Sequence, residues 1–229
     1  MNNLLHSKLR LVIDLQGFQR DGNRVRGIGR YSLSLVKSLI YYYPENEYIL
    51  FSNSSLHTFK NFFEKELNNN QLKVSFIEWS PAGQINEDIS LDYSKTWVAT
   101  QIRSYALSLL HADLILITSF FDGFKDNTLV TFDKTYNLPP VIAIIYDLIP
   151  LIHPSLYLDN DEEYKNFYDL KIADLNKLDA LLTISDSSKN EILKNTAFST
   201  DKVFNISAAS DQNLFFKEDK EEFKFSLDI

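Results

Sequence analysis

The 229 residues include no cysteine, so neither a disulfide framework nor thiolate chemistry is available. That absence fits a reducing compartment. The four histidines (His6, His57, His111 and His153) are scattered, without the close pairing that a metal site favours. No apolar run approaches the roughly 20 residues needed to span a bilayer. The N-terminus lacks the apolar stretch and small-residue cleavage site of a signal peptide, so the cytoplasm is the expected compartment. A net charge of −8 argues against nucleic-acid binding, which relies on basic surface. No Gly-x-Ser-x-Gly elbow supports hydrolase chemistry. What remains is an ordinary soluble composition, 45% hydrophobic and 24% charged, in a chain long enough to bury a full core.

Glycine and arginine are scarce but concentrated. Four of the six glycines and four of the six arginines fall between Gly17 and Arg30, directly after the strand-like run Leu9–Leu15. Glycine lets a ligand approach the main chain closely, and arginine offers a planar charged fork suited to phosphate. Where a strand hands over to a helix N-terminus, the two together point to an anion site for a phosphorylated ligand. A loop shaped by glycine, with solvated arginines, is the other reading that composition leaves open. No Gly-Lys-Ser/Thr of a P-loop occurs. Gly27-Ile-Gly29 comes a dozen residues too late for a dinucleotide fingerprint, and the second strand ends without a ribose-binding acid, so NAD binding is not expected.

Along the chain, strand-like and helix-like segments alternate. Strands are expected at 9–15, 48–52, 72–79, 113–118, 141–145, 180–184 and 202–206. Helices are expected at 29–43, 55–67, 93–111, 157–178 and 186–193, with a loop over 80–92. Short continuous apolar strands between helices predict an α/β fold, a Rossmann-like doubly wound, mainly parallel sheet with ligands beyond the strands' carboxyl ends. Residues 1–216 read as one domain, and 217–229 as a linker toward a further domain.

Five segments, in order, carry a family resemblance. They are Ile13–Gly17 with Val25–Leu35, Ser119–Asp126, Tyr146–Pro154, Ile184–Lys189 and Val203–Asp211. Together they resemble the N-terminal half of retaining GT-B glycosyltransferases of family 4, especially bacterial mannosyltransferase-like members that build O-antigen and other surface polysaccharides. The resemblance implies an acceptor-side Rossmann-like domain, with a separate C-terminal domain holding the donor. It implies no permanently bound cofactor. The donor would be a nucleotide-diphosphate sugar, GDP-mannose foremost, and the acceptor a saccharide, free or lipid-linked. It also implies work in the cytoplasm or peripherally at the membrane's inner face. A chain without the donor half is expected to be inactive alone. A non-catalytic glycan-binding half-protein, or a subunit completed by a donor-binding partner, is the alternative.

On this resemblance Gly27, Ile28 and Gly29 would present amides to the donor diphosphate, with Arg26 and Arg30 as charge partners and Gly17 allowing close approach. Tyr146 stands where many relatives carry histidine; a phenol can donate a hydrogen bond to a sugar but carries no charge near neutrality. Tyr146 and Asp147 are the catalytic candidates. Asp122, Gly123, Tyr146, Asp147, His153 and Ser185 are candidate acceptor or sugar contacts. Each has a plainer reading. Asp147 can cap a turn through its own backbone, Asp122-Gly123 is a turn signal, and Ser185 is an N-cap. Asp14 is expected to bond within the fold. Pro150 and Pro154 are expected to hold their loop extended. The Leu56/Phe59/Phe62/Phe63 stripe reads as a core face, since its mixed flanking charges do not support membrane contact.

Overall fold

A computed structural model describes residues 8–24, 26–85 and 93–208. The chain opens with β1 (Arg10–Asp14), the short helices α1 (Gln16–Gln19) and α2 (Asp21–Arg24), and then α3 (Gly27–Tyr42). Next come β2 (Glu47–Asn53), a 3-10 turn Lys60–Phe63 with α4 (Glu64–Leu67), β3 (Lys73–Trp79), α5 (Tyr93–Ser108) and β4 (Leu114–Ile117). β5 (Val141–Ile145), α6 (Ile149–Ile152), α7 (Pro154–Tyr157) and α8 (Glu162–Asp174) follow, then β6 (Ala180–Thr183), α9 (Asp186–Asn195) and β7 (Val203–Asn205).

The seven strands form one sheet in the order β3-β2-β1-β4-β5-β6-β7, with every neighbouring pair parallel. Parallel strands covered on both faces need apolar side chains in both directions, and β4 (Leu-Ile-Leu-Ile) and β5 (Val-Ile-Ala-Ile-Ile) supply them. Val12, Ile115, Ile117, Ala143 and Ile145 point to one face, packing with Ala99 and Leu107 of α5 and Ile192 of α9. Ile13, Leu50, Leu116 and Ile144 point to the other, against Val36 and Ile40 of α3 and Phe59 and Phe63. Each such fully buried aliphatic side chain stabilises the fold by about 2 kcal/mol. The doubly wound layout expected from the sequence is the one observed.

Three local expectations are corrected. The prolines do not hold residues 149–154 extended. Proline is tolerated in a helix's first turn, where its missing N–H has no partner to lose, and Pro150 and Pro154 each open a four-residue helix. The long helix begins at Glu162 rather than Tyr157, because Asp161 caps it by accepting from the Tyr164 N–H (2.9 Å). Of residues 55–67 only Lys60 onward is helical. The aromatic stripe there is nonetheless largely core: Phe59 and Phe63 are buried, while Phe62 is 36% exposed. Among the described residues no helix is long and apolar enough to cross a membrane. Residues 86–92 of the expected loop, His6 and the expected linker at 217–229 lie outside the described residues.

Candidate functional site

The strand order reverses between β1 and β4, so the connections leaving these strands diverge and open a crevice at their carboxyl ends. The segments after β1, β4 and β5 meet there around a cavity of about 200 Å³. Ile28, Asp122, Tyr146 and Asp147 line it, as do Tyr164 and Tyr168 of α8 and Arg20 and Asn23 from the first loop. Three segments that resemble the glycosyltransferase family thus share one cavity.

A buried polar network supports the first loop. Asp14 ends β1, and its carboxylate receives Arg103 from α5 and the Gln16 side chain (2.9 Å). Gln16 also donates to the Leu129 carbonyl (2.7 Å) and accepts from Asn53 (3.0 Å). Gln19 accepts from the Asn53 N–H (2.9 Å) and donates to its carbonyl (3.0 Å). Arg103 reaches the Thr131 carbonyl as well (3.1 Å). These bonds tie the ends of β1 and β2 to the segment after β4. Asp14 is therefore bonded within the fold, as expected.

Two glycines are required by geometry. A Cβ on Gly17 would stand 2.5 Å from Ser119 Cβ and 2.8 Å from Asp122 Oδ2, so the close approach at Gly17 is made by this chain's own β4 loop. Gly123 has φ +114°, and a Cβ there would meet the Thr128 carbonyl oxygen at 2.5 Å. It turns the chain immediately after Asp122.

Asp122 is only 5% exposed. Its Oδ1 accepts from Asn23 (2.7 Å) and faces Arg20 (3.3 Å), whereas Oδ2 has no hydrogen-bond partner. Burial pushes its pKa up against the opposing pull of Ser119, Asn23 and Arg20. Leaving such an acceptor unmatched costs about 1–3 kcal/mol. Tyr168 is 2% exposed, and its hydroxyl is likewise without a partner. Burial drives the Tyr168 phenol far above its ordinary range, which keeps it a neutral donor.

The Tyr146 hydroxyl is occupied within the fold. It lies 3.1 Å from Ser32 Oγ and 3.3 Å from the carbonyls of Ile28 and Thr118, tying the start of α3 to the end of β4. Its ring packs edge-on against Tyr31, and burial drives its pKa well upward, which keeps the phenol uncharged near neutrality. Asp147 is exposed at the cavity mouth, with Oδ1 accepting from the Ile149 N–H (3.0 Å) as a turn cap does.

Ser185 is the N-cap of α9, accepting from the Ser188 N–H (3.1 Å). Ser188 in turn donates to the Tyr146 carbonyl (2.6 Å), so the pair braces the end of β5. His153 is exposed at the junction of α6 and α7 and does not line this cavity.

α3 starts two residues earlier than its pattern predicts, with Gly27, Ile28 and Gly29 as its first turn. Their N–H groups have no acceptor inside the helix, and Arg26 at the N-cap makes no side-chain cap. Ile28 borders the cavity, Gly29 is buried, and Gly27, Arg26 and Arg30 are exposed. The helix dipole therefore places partial positive charge beside the cavity wall. Arg20, paired with Asp126 (2.7 Å), also borders a second, wider cavity of about 520 Å³ shared with Gln19, Ser55 and His57.

Sequence reasoning missed Tyr164, Tyr168, Arg20, Asn23 and the network under them. The spacing Ala99, Arg103, Leu107 carried one usable signal, since it sets an arginine in the buried stripe of α5.

No protein-family model matches the chain. Three Escherichia coli proteins named serotype-specific mannosyltransferase WbdA are similar to it. One is 28% identical over 205 residues, covering 88% of this chain and 24% of the relative. The others are 31% and 29% identical over 119 and 134 residues, covering 52% and 58% of this chain and 14% and 16% of the relatives. The chain spans a quarter or less of these relatives' length. Over most of its own length it is thus a Rossmann-like relative of bacterial mannosyltransferases.

Proposed function

We propose that this chain is the acceptor-side domain of a retaining GT-B glycosyltransferase. The whole enzyme moves mannose from GDP-mannose to a growing saccharide in cell-surface polysaccharide synthesis. Similarity to mannosyltransferases over 88% of the chain carries this reading. The shared cavity supports it by giving the family-like segments one place to act.

In this account the acceptor sugar occupies the cavity, and the donor diphosphate comes to the first turn of α3 from a separate donor-binding domain. Breaking the bond from the anomeric carbon to the diphosphate oxygen leaves negative charge on the nucleotide. The N–H groups of Gly27, Ile28 and Gly29 oppose that charge, with Arg26 and Arg30 adding to it. The acceptor hydroxyl oxygen bonds the anomeric carbon and its proton is released. The chain supplies position and field rather than a strong nucleophile.

The test is transfer of labelled mannose from GDP-mannose by the full-length protein, with Gly27→Val beside it, because Gly27 is exposed and a Cβ there meets nothing within 4 Å. Turnover should fall by about 100-fold, the scale of losing one charge-stabilising donor, with a far smaller change in melting temperature. Equal turnover in variant and parent removes α3 from the mechanism. Absence of transfer from any nucleotide-diphosphate sugar favours a glycan-binding role.

A further inference from the structure

Two cavities lie at the carboxyl ends of the strands, and Arg20 borders both. The smaller, of about 200 Å³, is formed by the segments after β1, β4 and β5. The wider, of about 520 Å³, is formed by those after β1, β2 and β4, with Gln19, Gly22, Ser55, Leu56, His57 and Asn127 in its lining. The Arg20 guanidinium is held from both sides. Its Nη1 lies 3.3 Å from Asp122 of the smaller lining, and its Nε 2.7 Å from Asp126 of the wider one. A guanidinium carries five N–H donors, so these two pairs leave the Nη2 group over for a ligand oxygen. A drug-sized ligand fills about 300–1,000 Å³. The smaller cavity therefore holds little more than one sugar ring, and the wider one has room for more.

We infer that the wider cavity is a second sugar subsite, and that the acceptor is an oligosaccharide of at least two linked sugars laid across Arg20. The lining suits a neutral polyol, since it mixes amide, hydroxyl and imidazole groups with one leucine for an apolar ring face. Arg20 is the one arginine or lysine among the described residues of either lining. Two carboxylates already face it, so little positive charge is left over for a phosphate. Binding a sugar away from the reacting hydroxyl helps to position that hydroxyl, and the gain is read in kcat/KM. This rests on the glycosyltransferase reading and adds to it the length of acceptor that the site recognises.

The probes are methyl mannoside and linear manno-oligosaccharides of two to four sugars, offered with GDP-mannose to the full-length protein. In the parent, kcat/KM should rise about tenfold from the one-sugar to the two-sugar acceptor. Gly22→Leu tests the assignment, because Gly22 lines the wider cavity and a Cβ there meets nothing within 4 Å. The preference for two sugars should shrink to less than about twofold in this variant, at a level or raised melting temperature. Ser55→Trp, at an exposed position in the segment after β2, should shrink it likewise. A merely structural loss would lower both acceptors together and keep their ratio. Equal kcat/KM for every acceptor length in the parent, or an unchanged preference in both variants, overturns the second subsite and leaves the glycosyltransferase reading intact. Competition by inorganic phosphate against the two-sugar acceptor alone assigns the wider cavity to an anion and overturns the subsite too. Transfer to none of these acceptors overturns the reading and the subsite together.

Discussion

Beneath the cavity, Asp14, Gln16, Gln19, Asn53 and Arg103 spend almost all their polar atoms on one another and on nearby carbonyls; Arg103 Nε alone among them lacks a partner. Among the residues that line the cavity, Asp122 and Tyr168 each keep a buried atom unmatched. Both groups are buried and polar, yet they answer to different demands. The first is satisfied by folding, so its value is positional: it fixes where the loops after β1 and β4 run. The second is not matched by neighbouring protein groups at hydrogen-bond geometry, and leaving such atoms unmatched costs stability. Accounting for hydrogen bonds separates scaffold from site where burial alone does not.

That contrast can be broken from either side. The largest expected effect is on the satisfied network. Arg103→Met leaves the buried Asp14 carboxylate without its cation, and the fold should lose about 3–5 kcal/mol in urea titration. A loss below about 1 kcal/mol would mean that water reaches Asp14 and that the network is not sealed.

Gly123→Ala should cost roughly 1–3 kcal/mol, because the positive φ and the Thr128 carbonyl oxygen both oppose a side chain. It should also displace Asp122, so glycoside binding should fall with stability.

Tyr146→Phe should cost about 1 kcal/mol, the net value of an ordinary hydrogen bond, because its hydroxyl is already used by the fold. Its stability should fall where that of Tyr168→Phe does not. A level melting temperature in both variants would erase the distinction between the two tyrosines.

The smallest effect is a pH dependence. The Asp122 pKa is raised in the folded state, so the folded protein holds this proton more tightly than the unfolded chain does. Ionising Asp122 in place therefore costs the fold stability. That penalty is relieved as pH falls through the folded-state pKa toward the ordinary carboxylate value. Relative to Asp122→Asn, the parent should gain stability on acidification across that window. A loss across the same window would show that Arg20 and Asn23, not burial, set the titration.

The fold was largely legible because runs such as Leu114–Ile117 and Val141–Ile145 are apolar on both faces, and only a covered parallel sheet accommodates that. Helix boundaries were less legible. Pro150 and Pro154 were read as breakers because a pattern does not say whether a proline will open a turn or interrupt one. The start of α8 was recoverable, since Asp161 followed by two glutamates is an N-terminal signature.

In the site, Asp122, Tyr146, Asp147 and Ile28 were reachable through motif order, and the structure brings all four to one cavity. Tyr168 was not. On a helix its spacing from Tyr164 reads as packing, and only the tertiary arrangement shows that Tyr168 lines the cavity with its buried hydroxyl unmatched.

The central claim is that this cavity holds the acceptor of a mannosyl transfer. Its most direct test is kcat/KM for mannose transfer from GDP-mannose by the full-length protein carrying Asp122→Asn, with a thermal melt alongside. Asparagine can keep the bond from Asn23 while removing the carboxylate from the cavity lining. The account predicts at least a tenfold loss of kcat/KM, about 1.4 kcal/mol, with a level or higher melting temperature. Parental kcat/KM at unchanged stability would contradict it.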